Sequence, residues 1–157
     1  MSYRVKAQVD GLADLLARLN GLKRQVASRI LRKAVAEAGK IILKVAKQKA
    51  PRESGLLRKS LGRKVKVYRS SGTAVAIVGP RLGFKQVVRR ARGKWFPADV
   101  ASNPVKYAHL VELGTVRSKA QAFLRPALQT HAGTIRKVME TQIDRGLAEA
   151  AKQAQGG

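Results

Sequence analysis

Acid–base or metal chemistry in this chain would have to begin from two histidines and nine acidic side chains. His109 and Glu112 share an H-x-x-E spacing, but their segment reads as a strand, where those positions point to opposite faces. His131 is the only other imidazole, so no metal cluster is expected. The acids (Asp10, Asp14, Glu37, Glu53, Asp99, Glu112, Glu140, Asp144 and Glu149) are scattered and never cluster as a general acid and base. With no cysteine, disulfides, thiol catalysis and thiolate metal sites are excluded. No glycine-rich phosphate loop of the P-loop type occurs. The expectation is a protein that is not an enzyme and takes no cofactor or metal.

The remaining chemistry is recognition. Residues 81–104 hold Arg81, Lys85, Arg89, Arg90, Arg92 and Lys94, with Phe84, Trp95 and Phe96 among them. No acidic residue occurs from Ser54 through Ala98. Arginine forks grip phosphates and carboxylates, while aromatics stack on bases or anchor in a partner's pocket. Arg81, Lys85, Arg89, Arg90, Arg92, Lys94, Trp95 and Phe96 are therefore candidates for contact with DNA or with an acidic protein. The plainer alternative is a solvated loop with Trp95 and Phe96 in its own core. No base-reading motif is present.

Glu112 stands beside Gly114 and Thr115, where its carboxylate is expected to anchor the turn by accepting its N–H groups or by pairing with an arginine.

These residues need elements to hold them. Tyr3, Val5, Ala7 and Val9 alternate as a short strand, and Leu12, Leu15, Leu16 and Leu19 fit a short helix. From Leu22 to about Lys49, Val26, Ile30, Leu31, Ala34, Val35, Ala38, Ile41, Ile42, Val45 and Ala46 form one helical stripe. Lys23, Arg24, Arg29, Arg32, Lys33, Lys40, Lys44 and Lys47 lie off that stripe and read as a solvated face. No aromatic anchor on the stripe suggests membrane binding.

Gly39, inside that helix, costs about 1 kcal/mol against alanine and suggests a close helix crossing. Pro51 stops the helix through its effect on Ala50. Gly55 is a permissive backbone position, and Leu56, Leu57 and Leu61 suggest a further helical turn.

Lys64–Arg69 and Ala74–Val78, joined through Ser70–Thr73, read as a hairpin closed by Gly79 and Pro80. Residues 81–104 read as a long basic loop. Val105–Leu113 reads as a third strand. Pro126 is placed as the first residue of a helix running to about Ala154, since its missing N–H costs nothing there. Residues 155–157 should fray. The fold class is α+β: a small antiparallel sheet packed on a long N-terminal and a long C-terminal helix. In an oligomer, a neighbouring subunit would cover the remaining sheet face and edges.

At 157 residues the chain is expected to be a single domain burying roughly 70% of its unfolded surface. The 33 Lys and Arg against 9 Asp and Glu give a formal charge of +24, which favours polyanionic or acidic partners. No signal-peptide core or membrane-length apolar run is seen, so a soluble chain that is not exported is expected.

Two blocks carry a family resemblance. Tyr107 to Thr115 reads Tyr-Ala-His-Leu-Val-Glu-Leu-Gly-Thr, and Phe123 to Leu128 reads Phe-Leu-Arg-Pro-Ala-Leu. Upstream stand Ala46, Lys47, Ala50, Pro51, Gly55, Leu57 and Ser60, with Ser54 where the family usually has threonine. Val9, Asp10, Gly11, Leu12, Leu15 and Leu16 match the usual opening. Together these resemble the neck or tail-component family of long-tailed double-stranded-DNA bacteriophages.

The resemblance marks Pro51, Gly55, Tyr107, Glu112, Gly114, Thr115, Phe123 and Pro126 as its structural motif. It implies a virion structural protein at the head–tail junction, assembled in the host bacterial cytoplasm as a homo-oligomeric ring of six or twelve copies. Its implied partners are itself, adjoining head-connector and tail proteins, and double-stranded DNA in the channel. A tail terminator capping the tail tube is the near alternative. Charge alone supports a small nucleic-acid-binding protein.

Overall fold

A computed structural model of the chain describes residues 22, 24–52, 55–68, 70–84 and 103–155. The expected strand at Tyr3–Val9 and helix at Leu12–Leu19 lie outside these residues. The first described element is helix α1 (Arg24–Lys49), where the sequence stripe placed it. Lys47 and Lys49 in its last turn oppose the negative end of the helix dipole. The amide of Ala50 still donates to the Ala46 carbonyl at 2.9 Å, and Pro51 then ends the run.

Helix α2 (Leu56–Ser60) follows Gly55, whose φ of 67° is the left-handed conformation glycine adopts without a steric cost. Leu56, Leu57 and Ser60 are buried, and the Ser60 hydroxyl donates to the Leu57 carbonyl at 2.7 Å. Leu61 opens strand β1 (Leu61–Tyr68), which pairs with β2 (Thr73–Pro80) as a two-stranded antiparallel hairpin. Val65 and Val67 are half-buried while Lys64, Lys66 and Tyr68 on the opposite face are exposed, as period-two alternation requires. Gly72, at φ 62°, turns the hairpin.

The expected third strand is a helix, α3 (Pro104–Leu113). The Asn103 side chain accepts the Val105 amide at 3.3 Å, and Pro104 occupies the first turn. Pro104, Ala108 and Glu112 are buried at four-residue steps, a helical period. Pro104 thus belongs to this helix and not to the preceding loop. The expected long helix from Pro126 is also corrected. A short helix α4 (Leu124–Gln129) holds Pro126 at its third position, and α5 (Ala132–Gln155) begins after a turn at Thr130 and His131. A third-position proline still removes only an N–H that has no intrahelical partner. Gln155, expected to fray, is the last helical residue of α5. The small antiparallel sheet with a long helix on either side of it in the chain makes the fold α+β.

The chain separates into two compact units. Among the described residues, one comprises 42–52, 55–63, 78–84 and 103–129. Its core gathers Val45, Ala46, Ala50, Leu57, Leu61, Ala108, Phe123, Leu124 and Ala127, with Tyr107 and Val111 packed against them. Phe123, Ala46 and Ala127 are wholly inaccessible. The other comprises 22, 24–41, 64–68, 70–77 and 130–155. In it α1 buries Ile30, Leu31, Ala34, Val35 and Ala38, while α5 buries Ile135, Met139, Ile143 and Gly146. Gly39 is buried on α1, and Gly146 of α5 makes a close approach to that helix. A β-carbon there would stand 2.8 Å from both γ-carbons of Ile30.

Candidate functional site

Glu112 is the one acidic residue buried among the described residues, 3% exposed near the end of α3. Its Oε2 accepts the amides of Phe123 at 2.8 Å and Leu124 at 3.0 Å. Its Oε1 accepts the amide of Arg125 at 2.9 Å. These are orphan amides at the start of α4, which a carboxylate satisfies and whose positive dipole end it complements. The carboxylate therefore caps a helix eleven to thirteen residues away, not the adjacent turn. The amides it accepts are those of Phe123, Leu124 and Arg125, in place of the expected turn N–H groups or an arginine.

The turn itself sets the geometry for that cap. Gly114 closes α3 by donating to Leu110 O at 2.8 Å and has φ 79° and ψ 176°, a region essentially reserved for glycine. The Thr115 amide donates to Ser118 O at 2.8 Å, and Ser118 returns a bond to Thr115 O at 3.2 Å. Thr115 Oγ1 accepts the Arg117 amide at 3.3 Å. The Gln121 amide then reaches back to Val111 O at 2.8 Å. That bond lays the chain beside α3 and delivers Phe123 to both the core and Glu112. A β-carbon on Gly114 would lie 2.7 Å from the Ala120 nitrogen, so the close backbone approach also demands glycine.

On the helix, His109 and Glu112 lie one turn apart on neighbouring positions instead of opposite faces. Both Glu112 oxygens are nevertheless engaged by amides. Among the described residues no group of histidine and acidic side chains could hold a metal ion.

Arg81 is exposed, yet its guanidinium serves the fold. Nε donates to Ser60 O at 3.3 Å and Nη2 to Lys59 O at 3.1 Å, capping the last carbonyls of α2. The side chain crosses Gly62, where a β-carbon would meet Arg81 Cγ at 2.7 Å, and its charge lies 5.2 Å from the Phe84 ring centre. Lys85, Arg89, Arg90, Arg92, Lys94, Trp95 and Phe96 lie outside the described residues. Of the motif residues, Gly55 takes its left-handed turn, Tyr107 packs on the core and Phe123 fills it. Pro51 follows α1, Thr115 shapes the exposed turn and Pro126 sits inside α4.

The residues missed by sequence are the amide donors at 123–125 and the Asn103 cap. Asn followed by Pro was a readable helix start. Nothing local signals which amides a distant carboxylate will meet.

A second feature lies in the other unit. Gln25, Ser28, Arg29 and Arg32 of α1 and Val65 and Val67 of β1 line an open groove of about 490 Å³. No helix among the described residues is long and apolar enough to cross a membrane.

The family model described as "Bacteriophage HK97-gp10, putative tail-component" matches residues 13–114. The match takes in α1, the hairpin and α3 through Glu112 and Gly114, and ends before the amides that Glu112 caps. No curated protein and no solved structure matches the chain.

Proposed function

Since the chain belongs to the bacteriophage HK97-gp10 tail-component family, we propose that it forms part of the oligomeric ring joining the phage head to the tail. Family membership makes it a tail or neck structural protein of the virion; the position at the junction is our reading. The observation that carries it is the Glu112 clamp. The one buried carboxylate among the described residues is committed to three backbone amides, so the motif that marks the family does architecture. Function then falls to surfaces. Glu37, Glu140 and Glu149 pair with Lys40, Arg136, Lys33 and Arg145, while 33 basic residues face 9 acids in all. That excess favours assembly on acidic neighbours, or on DNA passing through the channel.

In this reading the protein is not a catalyst. A closed ring repeats one heterologous interface between copies, and its two faces meet the head connector and the tail tube. The test is electron microscopy of particles made without this protein. Tails of normal length lying free beside filled heads are the expected result. Overlong tails would replace the joint by a tail terminator, and joined particles would overturn both.

A further inference from the structure

We propose that the groove between α1 and β1 is a docking site for an extended acidic segment of another virion protein, one in which carboxylates alternate with apolar side chains. The two walls differ in chemistry. Arg29 and Arg32 are three residues apart on α1, so they share a face with β-carbons about 5–6 Å apart. Both are exposed, and neither makes an ion pair or hydrogen bond among the described residues. Gln25 and Ser28 extend the same wall with neutral polar groups. The facing wall is Val65 and Val67, half-buried and on one face of β1. No acidic side chain lines the groove among the described residues.

An extended chain sends successive side chains to opposite sides, with same-side residues about 7 Å apart. Acids at alternate positions would therefore face the two guanidinium forks, while the residues between them rest on the valines. Arginine favours carboxylates because both N–H groups of its fork can donate to the two oxygens. Duplex DNA fits less well. The groove is of small-ligand size, within the usual range of about 300–1,000 Å³. A duplex whose major groove alone is about 12 Å wide would lie across the rim and leave the valines uncovered. The inference rests on the tail-joining reading only for the source of the segment.

Fluorescence anisotropy on the full chain at physiological salt tests it, with three labelled probes. These are a Glu-Val-Glu-Val-Glu-Val peptide, the same composition with the glutamates in one block, and a short DNA duplex. The alternating peptide should bind tightest. Arg29→Glu with Arg32→Glu should weaken it at least about tenfold. Val65→Thr with Val67→Thr should weaken it several-fold while leaving duplex affinity unchanged. Circular dichroism melts on both double variants identify any that fail to fold, and Arg29→Gln with Arg32→Gln then replaces the charge reversal.

Equal binding of the two peptides would reduce the effect to net charge and overturn the proposal. So would binding indifferent to the groove variants, or a duplex that outcompetes the alternating peptide through Arg29 and Arg32. None of these results bears on whether the protein joins heads to tails, which the particle morphology decides separately.

Discussion

Glu112 accepts the backbone amide of Phe123 at 2.8 Å although eleven residues separate them in the chain. Phe123 is itself wholly buried, so one short segment supplies the central side chain of a core and the first amide of a capped helix. The carboxylate and the phenyl ring thus fix the same stretch of backbone from two sides, one by hydrogen bonds and one by packing.

Replacing Glu112 by alanine removes two carboxylate oxygens that accept three charge-assisted hydrogen bonds, and leaves amides of Phe123 and Leu124 buried without partners. Bonds to charged groups contribute about 1.5–3 kcal/mol each, but not additively, so a loss of about 3 kcal/mol or more is expected. Glu112→Gln keeps one acceptor oxygen and turns an NH₂ group towards an amide, and should fall between. Urea denaturation measures both. A loss under about 0.5 kcal/mol for the alanine variant, ordinary for a surface site, would remove the clamp from the account of this fold.

Much of this was readable in advance. The α1 stripe, the hairpin and the stop at Pro51 follow from periods and breakers that act over a few residues. The segment 105–113 reads as a strand because its apolar residues are dense enough to fit either period, while the signal for the helix it forms is the Asn103–Pro104 start. Pro126 reads as a helix beginning, whereas the helix starts at Leu124 under Glu112, a long-range partner that no local pattern specifies. Arg81 reads in the sequence as a candidate for contact with DNA or an acidic partner. Its guanidinium also caps α2 across twenty-one residues, a pairing only the folded chain creates.

Gly114→Ala should be nearly as damaging as loss of Glu112. The added carbon would meet the Ala120 nitrogen at 2.7 Å and Ser118 O at 3.1 Å, both backbone, and the φ of 79° is itself unfavourable for alanine. Strain of this kind costs about 1–3 kcal/mol before the clash is counted. Hydrogen exchange offers the sharper readout. Amides of Gln121, Phe123 and Leu124 should lose protection together, because the turn delivers all three to their acceptors. Unchanged protection there would show that the turn does not position the clamp.

At the surface of the other unit, Lys33 lies 3.4 Å from Glu149 and holds its carboxyl below the usual carboxylate range, with Arg145 adding to the effect. A depressed folded-state pKa means the unfolded chain binds more protons in that range. The stabilisation is therefore present above the ordinary carboxylate pKa of about 4.3 and is lost as pH falls through the lower folded value. Wild type should melt above Glu149→Gln at neutral pH, and the gap should close in acid. The pair is solvent-exposed, so high salt should also shrink the gap at neutral pH. A gap that persisted in acid would assign the effect to packing of the side chain instead of its charge.

Gly146 and Ile30 make a prediction of opposite form, in which a better helix former weakens the protein. Alanine in the middle of α5 gains about 1 kcal/mol of helix propensity over glycine. Against this, its β-carbon would stand 2.8 Å from both γ-carbons of Ile30, and those branched carbons cannot swing aside as a long side chain can. Overpacking of a buried site costs about 1–3 kcal/mol, so Gly146→Ala should be net destabilising. Shortening the neighbour removes the obstruction. Ile30→Ala alone should cost a few kcal/mol through the cavity it leaves, but the double variant should be more stable than the sum of the two losses. Denaturation of the four proteins in this cycle gives the coupling directly. Strict additivity would mean that the two helices can part at this point without cost, and that glycine is not required for their approach.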